Sequence, residues 1–141
     1  MDHVVYLDTK AKEYEKLASG EKSMIIRGAA GRKLPHGRVF ENDTLYFMNN
    51  NAEGTVRGRA KVKFVINSEK MTSQESEALI ASHENQLQLS DKQKARWAGK
   101  RYLVLIEVKD FEEIAPFPIN RSEYGNMDDW LPVDKIERVK L

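Results

Sequence analysis

The segment from Thr55 to Ile66 restricts the possible folds more than any other part of this sequence, because its apolar and polar residues alternate. The apolar positions are Val56, Gly58, Ala60, Val62, Phe64 and Ile66, and the polar positions between them are Thr55, Arg57, Arg59, Lys61 and Lys63. Side chains alternate between the two faces of a β-strand, so the pattern predicts a strand with one core face and one basic face.

Four other segments have the composition of strands. Thr44 to Met48 is strongly β-prone, and the turn residues Asn49-Asn50-Asn51 and Gly54 follow it, which predicts a hairpin with the alternating strand. Tyr102 to Val108 is apolar on both faces for most of its length, as is typical of a central strand. Val4 to Leu7 and Met24 to Ile26 are shorter apolar runs.

Helix-capping residues predict three helices. Asp8 or Thr9 can cap a helix over about Lys10 to Ala18, which Gly20 would end. Capping-box pairs then predict two helices that interrupt the strands as an insertion: Thr72 with Glu75 opens one through about His83, and Ser90 with Gln93 opens one ending near Gly99.

The C-terminal part is predicted to be less regular. Pro116 and Pro118 mark the start of an irregular stretch, and Val133 to Leu141 alternates weakly enough to be a closing edge strand or a docked tail. Together with the earlier elements this predicts an α+β fold.

Length and charge limit the class of protein. A chain of 141 residues is the usual size of one domain, so we expect a single domain over residues 1–141. Lys and Arg total 23 against 22 Asp and Glu, so any attraction for nucleic acid must come from local clusters. The sequence has no cysteine, no secretory leader or membrane-spanning run is expected from it, and the expected location is the cytoplasm.

Two local clusters of basic residues are candidate anion sites. The stripe Arg57, Arg59, Lys61 and Lys63 could follow the phosphates of a nucleic acid, or it could protect an edge strand or pair with acids on a neighbouring strand. The second cluster surrounds a Gly-containing loop, where backbone amides and guanidinium groups could converge on an anion; its members are Lys22, Arg27, Arg32, Lys33, His36 and Arg38.

Other candidate sites are weaker. Gly28-Ala29-Ala30-Gly31 matches the GXXG loop of KH domains, but Pro35 obstructs the helix that should follow. Trp130 could stack on a base, because it lies in a stretch predicted to be irregular after Asn126 to Asp129. The three histidines are scattered and suggest no metal site, and no cofactor motif is present.

The order of these segments resembles an ASCH domain, a branch of the PUA-like β-barrels. In that family a helix ends in a G-x-K-[ST] turn that leads to a strand ending in Arg, which Gly20, Lys22, Ser23 and Arg27 match. A later Asn-Asp turn begins the next barrel strand, as Asn42-Asp43 does here. The resemblance implies a mixed barrel with a short N-terminal helix, a helical insertion, and a cleft for RNA or modified nucleosides.

Some ASCH proteins are similar to amidohydrolases of acetylated cytidine, and this provides an alternative function. The resemblance implies a Lys in the Gly-Lys turn, a Thr three residues later and a Glu late in the barrel. Lys22 matches the first, but Ile25 replaces the Thr and has no hydroxyl to act as nucleophile. Glu107 is a possible late carboxylate and a possible partner of Lys22.

The sequence therefore favours a binding module over an enzyme. We expect Lys22, Ser23, Arg27, Arg32 and Lys33 to contact RNA or a nucleoside-like ligand in a basic cleft, with Trp130 nearby. The stripe from Arg57 to Lys63 would extend the contact along the backbone. Single-stranded RNA fits better than duplex DNA, because no recognition helix is evident. A third possibility is a protein-interaction domain that uses the insertion from Thr72 to Gly99.

Overall fold

The fold is a six-stranded mixed sheet that curls into a half-barrel and carries four helices, as described for residues 1–124 and 129–141 of a computed structural model. The strands are β1 (Asp2–Leu7), β2 (Met24–Ala29), β3 (Thr44–Asn49), β4 (Thr55–Asn67), β5 (Tyr102–Pro118) and β6 (Trp130–Asp134). The helices are α1 (Glu13–Ser19), α2 (Ser73–Ser82), α3 (Glu84–Leu87) and α4 (Asp91–Trp97). The predicted α+β class is confirmed, with a mixed sheet, a short N-terminal helix and a helical insertion.

The strands follow the order β2-β5-β4-β3-β1-β6 across the sheet. β1 pairs with β3 in parallel, and the other pairs are antiparallel, including the predicted hairpin of β3 and β4. β2 and β6 are the two ends of this order, so the curl brings two unpaired strand edges towards each other.

The prediction that the apolar residues of β4 face the core is correct as far as Val62 and wrong at Phe64. Val56, Ala60 and Val62 are buried, whereas the side chain of Phe64 is 40% exposed. A β-bulge lies between Val62 and Phe64. Val62 pairs with Val108 and Phe64 pairs with Glu107, so two steps along β4 correspond to one step along β5. The extra residue reverses the alternation, so Val65 packs against the interior cluster in its place.

β5 is much longer than the predicted Tyr102 to Val108, and the irregular stretch predicted after Pro116 is strand up to Pro118. Its second half pairs with the first half of β4 through two register shifts, one of which contains Asp110 with a φ of 55°. Pro116 falls between the paired residues Glu113 and Phe117, where a missing N–H breaks no ladder bond.

Both predicted capping boxes are present. The Thr72 hydroxyl accepts a hydrogen bond from the Glu75 amide, Ser90 accepts one from Gln93, and in each case the N3 side chain accepts one in return. The short helix α3 was not predicted.

The predicted boundaries of the first helix and of the C-terminal strand need correction. Helix α1 begins at Glu13 instead of Lys10, because Lys12 has a left-handed φ of 55°. The tail Val133 to Leu141 is strand only to Asp134, and β6 begins earlier, at Trp130.

Three apolar clusters hold the sheet. One fills the inside of the curl, between α1 and the strands, and includes Phe47, Ile106 and Trp130. A second lies on the outer face under the C-terminal tail, with Tyr46 and Val139. The third packs the insertion onto β2 and β5 through Leu87 and Trp97. The insertion therefore covers one part of the outer face, and the tail covers another.

Candidate ligand clefts around Arg27

Arg27 connects the two ends of the curled sheet. It is the fourth residue of β2, where the alternation that puts Ile25 in the interior directs Arg27 inward too. Its guanidinium donates hydrogen bonds to the carbonyls of Tyr6 (2.7 Å) and Ile26 (2.8 Å). Nε lies 3.2 Å from the Asp129 carboxylate, and the guanidinium carbon lies 5.8 Å from the centre of the Trp130 ring. Arg27 is 6% exposed, so these contacts hold it in place.

Two clefts share Arg27 as a wall. The first, which we call the polar cleft, lies between β1, α1 and α4, and its described lining consists of Tyr6, Asp8, Glu13, Arg27, Asn50, Gln93, Arg96, Trp97 and Asp129. The second, the loop cleft, lies against the segment after β2, and its described lining consists of Arg27, Gly28, Ala29, Gly31, Lys33, Leu34, Pro35, His36, Tyr102 and Val104.

Charge distinguishes the two clefts. The polar cleft is lined by three carboxylates and two guanidinium groups, from Asp8, Glu13, Asp129, Arg27 and Arg96. The loop cleft is lined by Arg27 and Lys33 with no acid among its described residues. A phosphate is therefore favoured in the loop cleft, and a neutral hydrogen-bonding group is favoured in the polar cleft.

Glu13 is a buried acid at the floor of the polar cleft. It lies one turn before Leu17, and both are buried. Glu13 Oε1 accepts a hydrogen bond of 2.8 Å from the Asp8 amide, and Oε2 lies 3.6 Å from the Lys22 ammonium. An acid four residues before a core leucine was the sequence signal that could have revealed it, since i and i+4 share a helix face.

Lys22 is buried beneath the clefts and does not belong to the described lining of either. Its ammonium donates a hydrogen bond to the carbonyl of Leu87 in the insertion, and its acid partner is Glu13 instead of Glu107. Burial is the main reason that the pKa of Lys22 is lowered to about 8, against the opposing effect of Glu13. Ser23 also lies outside the described linings, and its backbone bonds Gln86 and Val108.

The loop cleft has a close approach of backbone at its base. A Cβ on Gly28 would lie 2.6 Å from Cδ2 of Leu103 and 3.1 Å from the carbonyl of Tyr102, so any larger residue would force the Leu103 side chain to shift. On the opposite wall the His36 imidazole bonds the carbonyl of Ser68 (2.9 Å) and meets the Tyr102 ring edge-on.

Arg32 and Lys33 are both exposed at this loop. The Arg32 guanidinium lies over the Tyr102 ring at 5.6 Å and bonds Glu69 at 3.0 Å, where both partners are largely exposed. Such an ion pair is weak and can exchange for a ligand phosphate.

The basic stripe of β4 is separate from the two clefts. Arg57 pairs with Glu53 (2.6 Å) and Arg59 pairs with Glu112 across the strands, while Lys61 donates to the hydroxyl of Thr44 (2.6 Å). Lys63 is exposed. The acid pairing that the sequence analysis gave as the alternative is thus present for Arg57 and Arg59.

Trp130 belongs to a buried polar network that the sequence did not reveal. It is 1% exposed, and its indole N–H donates to Nδ1 of His3 (3.1 Å). His3 Nε2 lies 2.9 Å from the carboxylate of Asp43. An indole only donates, so Nδ1 must accept and the imidazole proton is on Nε2. Burial lowers the pKa of His3, against the raising effect of Asp43.

Part of the predicted irregular chain before Trp130, residues 126–128, lies outside the described residues. No helix in the described ranges is long and apolar enough to cross a membrane. Within residues 1–124 and 129–141, no three His, Asp or Glu side chains are grouped so that they could hold a metal ion.

Similar folds occur among solved structures. The ASCH protein from Zymomonas mobilis superposes with a TM-score of 0.67 at 15% sequence identity, covering 97% of this chain and 92% of that one. A Tyr-to-Phe variant of it gives a TM-score of 0.68 at 15% identity, covering 97% and 94% of the two chains. A Ser-to-Ala variant gives 0.65 at 16% identity, covering 97% and 92%.

These superpositions, with the half-barrel and its helical insertion, show that this chain has an α+β fold of the ASCH type. No protein-family model and no curated protein matches the chain in sequence. At 15 to 16% identity the likeness is one of fold.

Proposed function

We propose that this protein binds RNA or a nucleoside-like ligand at the paired clefts around Arg27. The observation that carries the proposal is the rigidly held Arg27 between an acid-lined polar cleft and a loop cleft with no acid among its described residues. A base would bind in the polar cleft, where the side-chain oxygens of Asp8 and Asn50 can accept hydrogen bonds from its N–H groups. The phosphate would meet the loop cleft, where Lys33 and Arg32 supply positive charge.

The site residues expected from the sequence have unequal roles in this proposal. Arg27, Arg32 and Lys33 are the ligand contacts. Lys22 supports the floor through Glu13, and Trp130 supports Arg27 from the interior. Ser23 contributes through its backbone, which joins the insertion to β5. The stripe from Arg57 to Lys63 is a further contact for an RNA backbone, weakened at Arg57 and Arg59 by their acid partners.

Calorimetric titration with the four ribonucleosides and their 5′-monophosphates tests the proposal. The double variant R32E/K33E should lower the affinity for monophosphates at least tenfold and leave nucleoside affinity unchanged, because its charges act on the phosphate. The double variant K92E/K135E, at two exposed lysines outside the described linings of both clefts, is the matched charge control. Absence of binding of nucleosides, monophosphates and single-stranded RNA by the wild-type protein at low salt would refute the proposal.

A hydrolase acting on a modified nucleoside is the second candidate, favoured by the buried Lys22–Glu13 pair and the lowered pKa of Lys22. Against it, Ile25 is fully buried in the interior cluster, where the family resemblance implies a hydroxyl nucleophile. Incubation with acetylated cytidine, followed by chromatography, distinguishes the two. Turnover that disappears in a Glu13→Gln variant whose circular dichroism spectrum matches that of the wild type would favour the enzyme, and binding without turnover would favour the binding module.

A further inference from the structure

Two exposed phenylalanines are unexplained by the packing of the fold. The exposed large apolar side chains among the described residues are Met1, Phe40, Phe64 and Leu141. Met1 and Leu141 are the first and last residues, but Phe40 and Phe64 lie inside the chain and are 62% and 40% exposed. Exposed aromatic rings cost solvation free energy, so they suggest a contact that the isolated chain does not make.

Hydrogen bonds place Phe40 beside Phe64 along the end of β4. The segment from His36 to Asp43 contains turns and lies beside the end of β4: the His36 imidazole bonds the carbonyl of Ser68, the Gly37 amide donates to the side chain of Asn67, and the Asn42 amide donates to the carbonyl of Val62. In these pairs, each step back along the segment corresponds to one step forward along β4. Phe40 lies two residues before Asn42 and Phe64 lies two residues after Val62, so this register puts Phe40 opposite Phe64.

Burial of the neighbouring residues supports the same register. Val39 and Val65, which this register also places opposite each other, both belong to the interior cluster. Val39 and Phe40 lie between the two turns, Val39 is buried and Phe40 is 62% exposed, so Phe40, like Phe64, points away from the interior. The bulge at Val62–Phe64 is what directs Phe64 outward.

The surroundings of the two rings are polar and include both cations and an acid. Arg38 and Lys63 are exposed, and so is Glu41. The segment begins at His36, which lines the loop cleft, so it leads from the cleft to the rings.

We propose that Phe40 and Phe64 form a stacking platform for an unpaired base next to the nucleotide held at Arg27. This inference rests on the proposed function and specifies its ligand as single-stranded RNA longer than one nucleotide. The strand would leave the loop cleft along His36, place the next base on the rings, and bring its phosphates near Arg38 and Lys63. Stacking on aromatic rings accepts any base, so the platform adds affinity and no sequence preference.

The test compares uridine 5′-monophosphate with a fluorescein-labelled hexauridylate, using calorimetry for the first and anisotropy for the second. The wild-type protein should bind the hexamer at least fivefold more tightly than the mononucleotide, and F40A/F64A should reduce that difference about threefold or more while leaving the mononucleotide affinity unchanged, since the phosphate contacts of Arg38 and Lys63 remain. Leu141→Ala is the control for loss of an exposed apolar side chain. In a Phe64→Trp variant, the hexamer should quench the added indole emission more than the mononucleotide does.

Each other outcome overturns the platform. If the mononucleotide binds and F40A/F64A binds the hexamer as tightly as the wild type does, the platform is wrong and the proposed function stands. If the wild-type protein binds neither probe, both are wrong. If sedimentation shows a wild-type dimer that F40A/F64A abolishes, with RNA affinity unchanged, the rings form a contact between copies of the chain.

Discussion

Replacing Lys22 with methionine should destabilise the protein strongly, because it leaves the Glu13 carboxylate buried without its cation. Both residues are at most 2% exposed, and the ammonium lies 3.6 Å from Oε2. Removing one partner of a buried ion pair costs about 3–5 kcal/mol, so K22M should lower the free energy of unfolding by about that amount. Glu13→Gln should also be destabilising, since the Lys22 ammonium then keeps only the Leu87 carbonyl.

The double variant E13Q/K22M should recover at least about 2 kcal/mol of the summed losses, because no unpaired charge remains and the introduced side-chain amide can still accept from the Asp8 N–H. Urea denaturation followed by circular dichroism measures all four free energies. The exposed pair Lys94–Glu84 is the matched control, and the same cycle there should give about 1 kcal/mol or less. Single variants that each cost less than about 1 kcal/mol, or strictly additive losses, would refute this account of the buried pair.

Three further predictions concern titration and packing. The pKa of Lys22 is lowered from 10.5 to about 8, so the unfolded state binds the proton more tightly. Relative to E13Q/K22M, wild-type stability should therefore rise by about 3 kcal/mol between pH 8 and 10.5, and a flat difference would contradict this. The pKa of His3 is lowered below 6.5, so its neutral ring contributes to the folding stability above pH 6.5, and this contribution is lost as the pH falls. ¹⁵N NMR should show a neutral ring protonated at Nε2 at pH 7. Gly28→Ala should cost about 1–3 kcal/mol in thermal unfolding because its Cβ would lie 2.6 Å from a leucine of β5, whereas Gly31→Ala, with nothing within 4 Å, should change little.

Local patterns were sufficient to predict most elements of the fold. The alternation of β4, the hairpin with β3 and the two capping boxes depend on neighbours in sequence, and the structure confirms them. The Gly-Lys turn and Arg27 in the following strand carried the ASCH resemblance, which the fold bears out. The bulge at Phe64 and the second half of β5 were missed, because both depend on the pairing of residues 43 to 63 positions apart, from Phe64–Glu107 to Thr55–Pro118.

The candidate site was only partly visible in the sequence. Arg27, Lys33 and the long loop were found because they are close together along the chain. Glu13 and Asp129 were not identified as partners of Lys22 and Arg27, since nine and 102 residues separate them, counting from 13 to 22 and from 27 to 129. Conversely, Lys22 was expected to face a ligand, and the structure places it against Glu13 beneath the floor.

The sequence alone determined most of the strands, the caps, the loop after β2 and the supply of basic side chains, because hydrophobic periodicity and capping act over a few residues. Only the tertiary structure decided which charges are neutralised. Folding brought Glu13 to Lys22 and Glu112 to Arg59, and left Lys33 without an acid among the described residues of its cleft. Electrostatic interactions depend on distance in space and on burial, and the order of residues along a chain specifies neither until the sheet has curled.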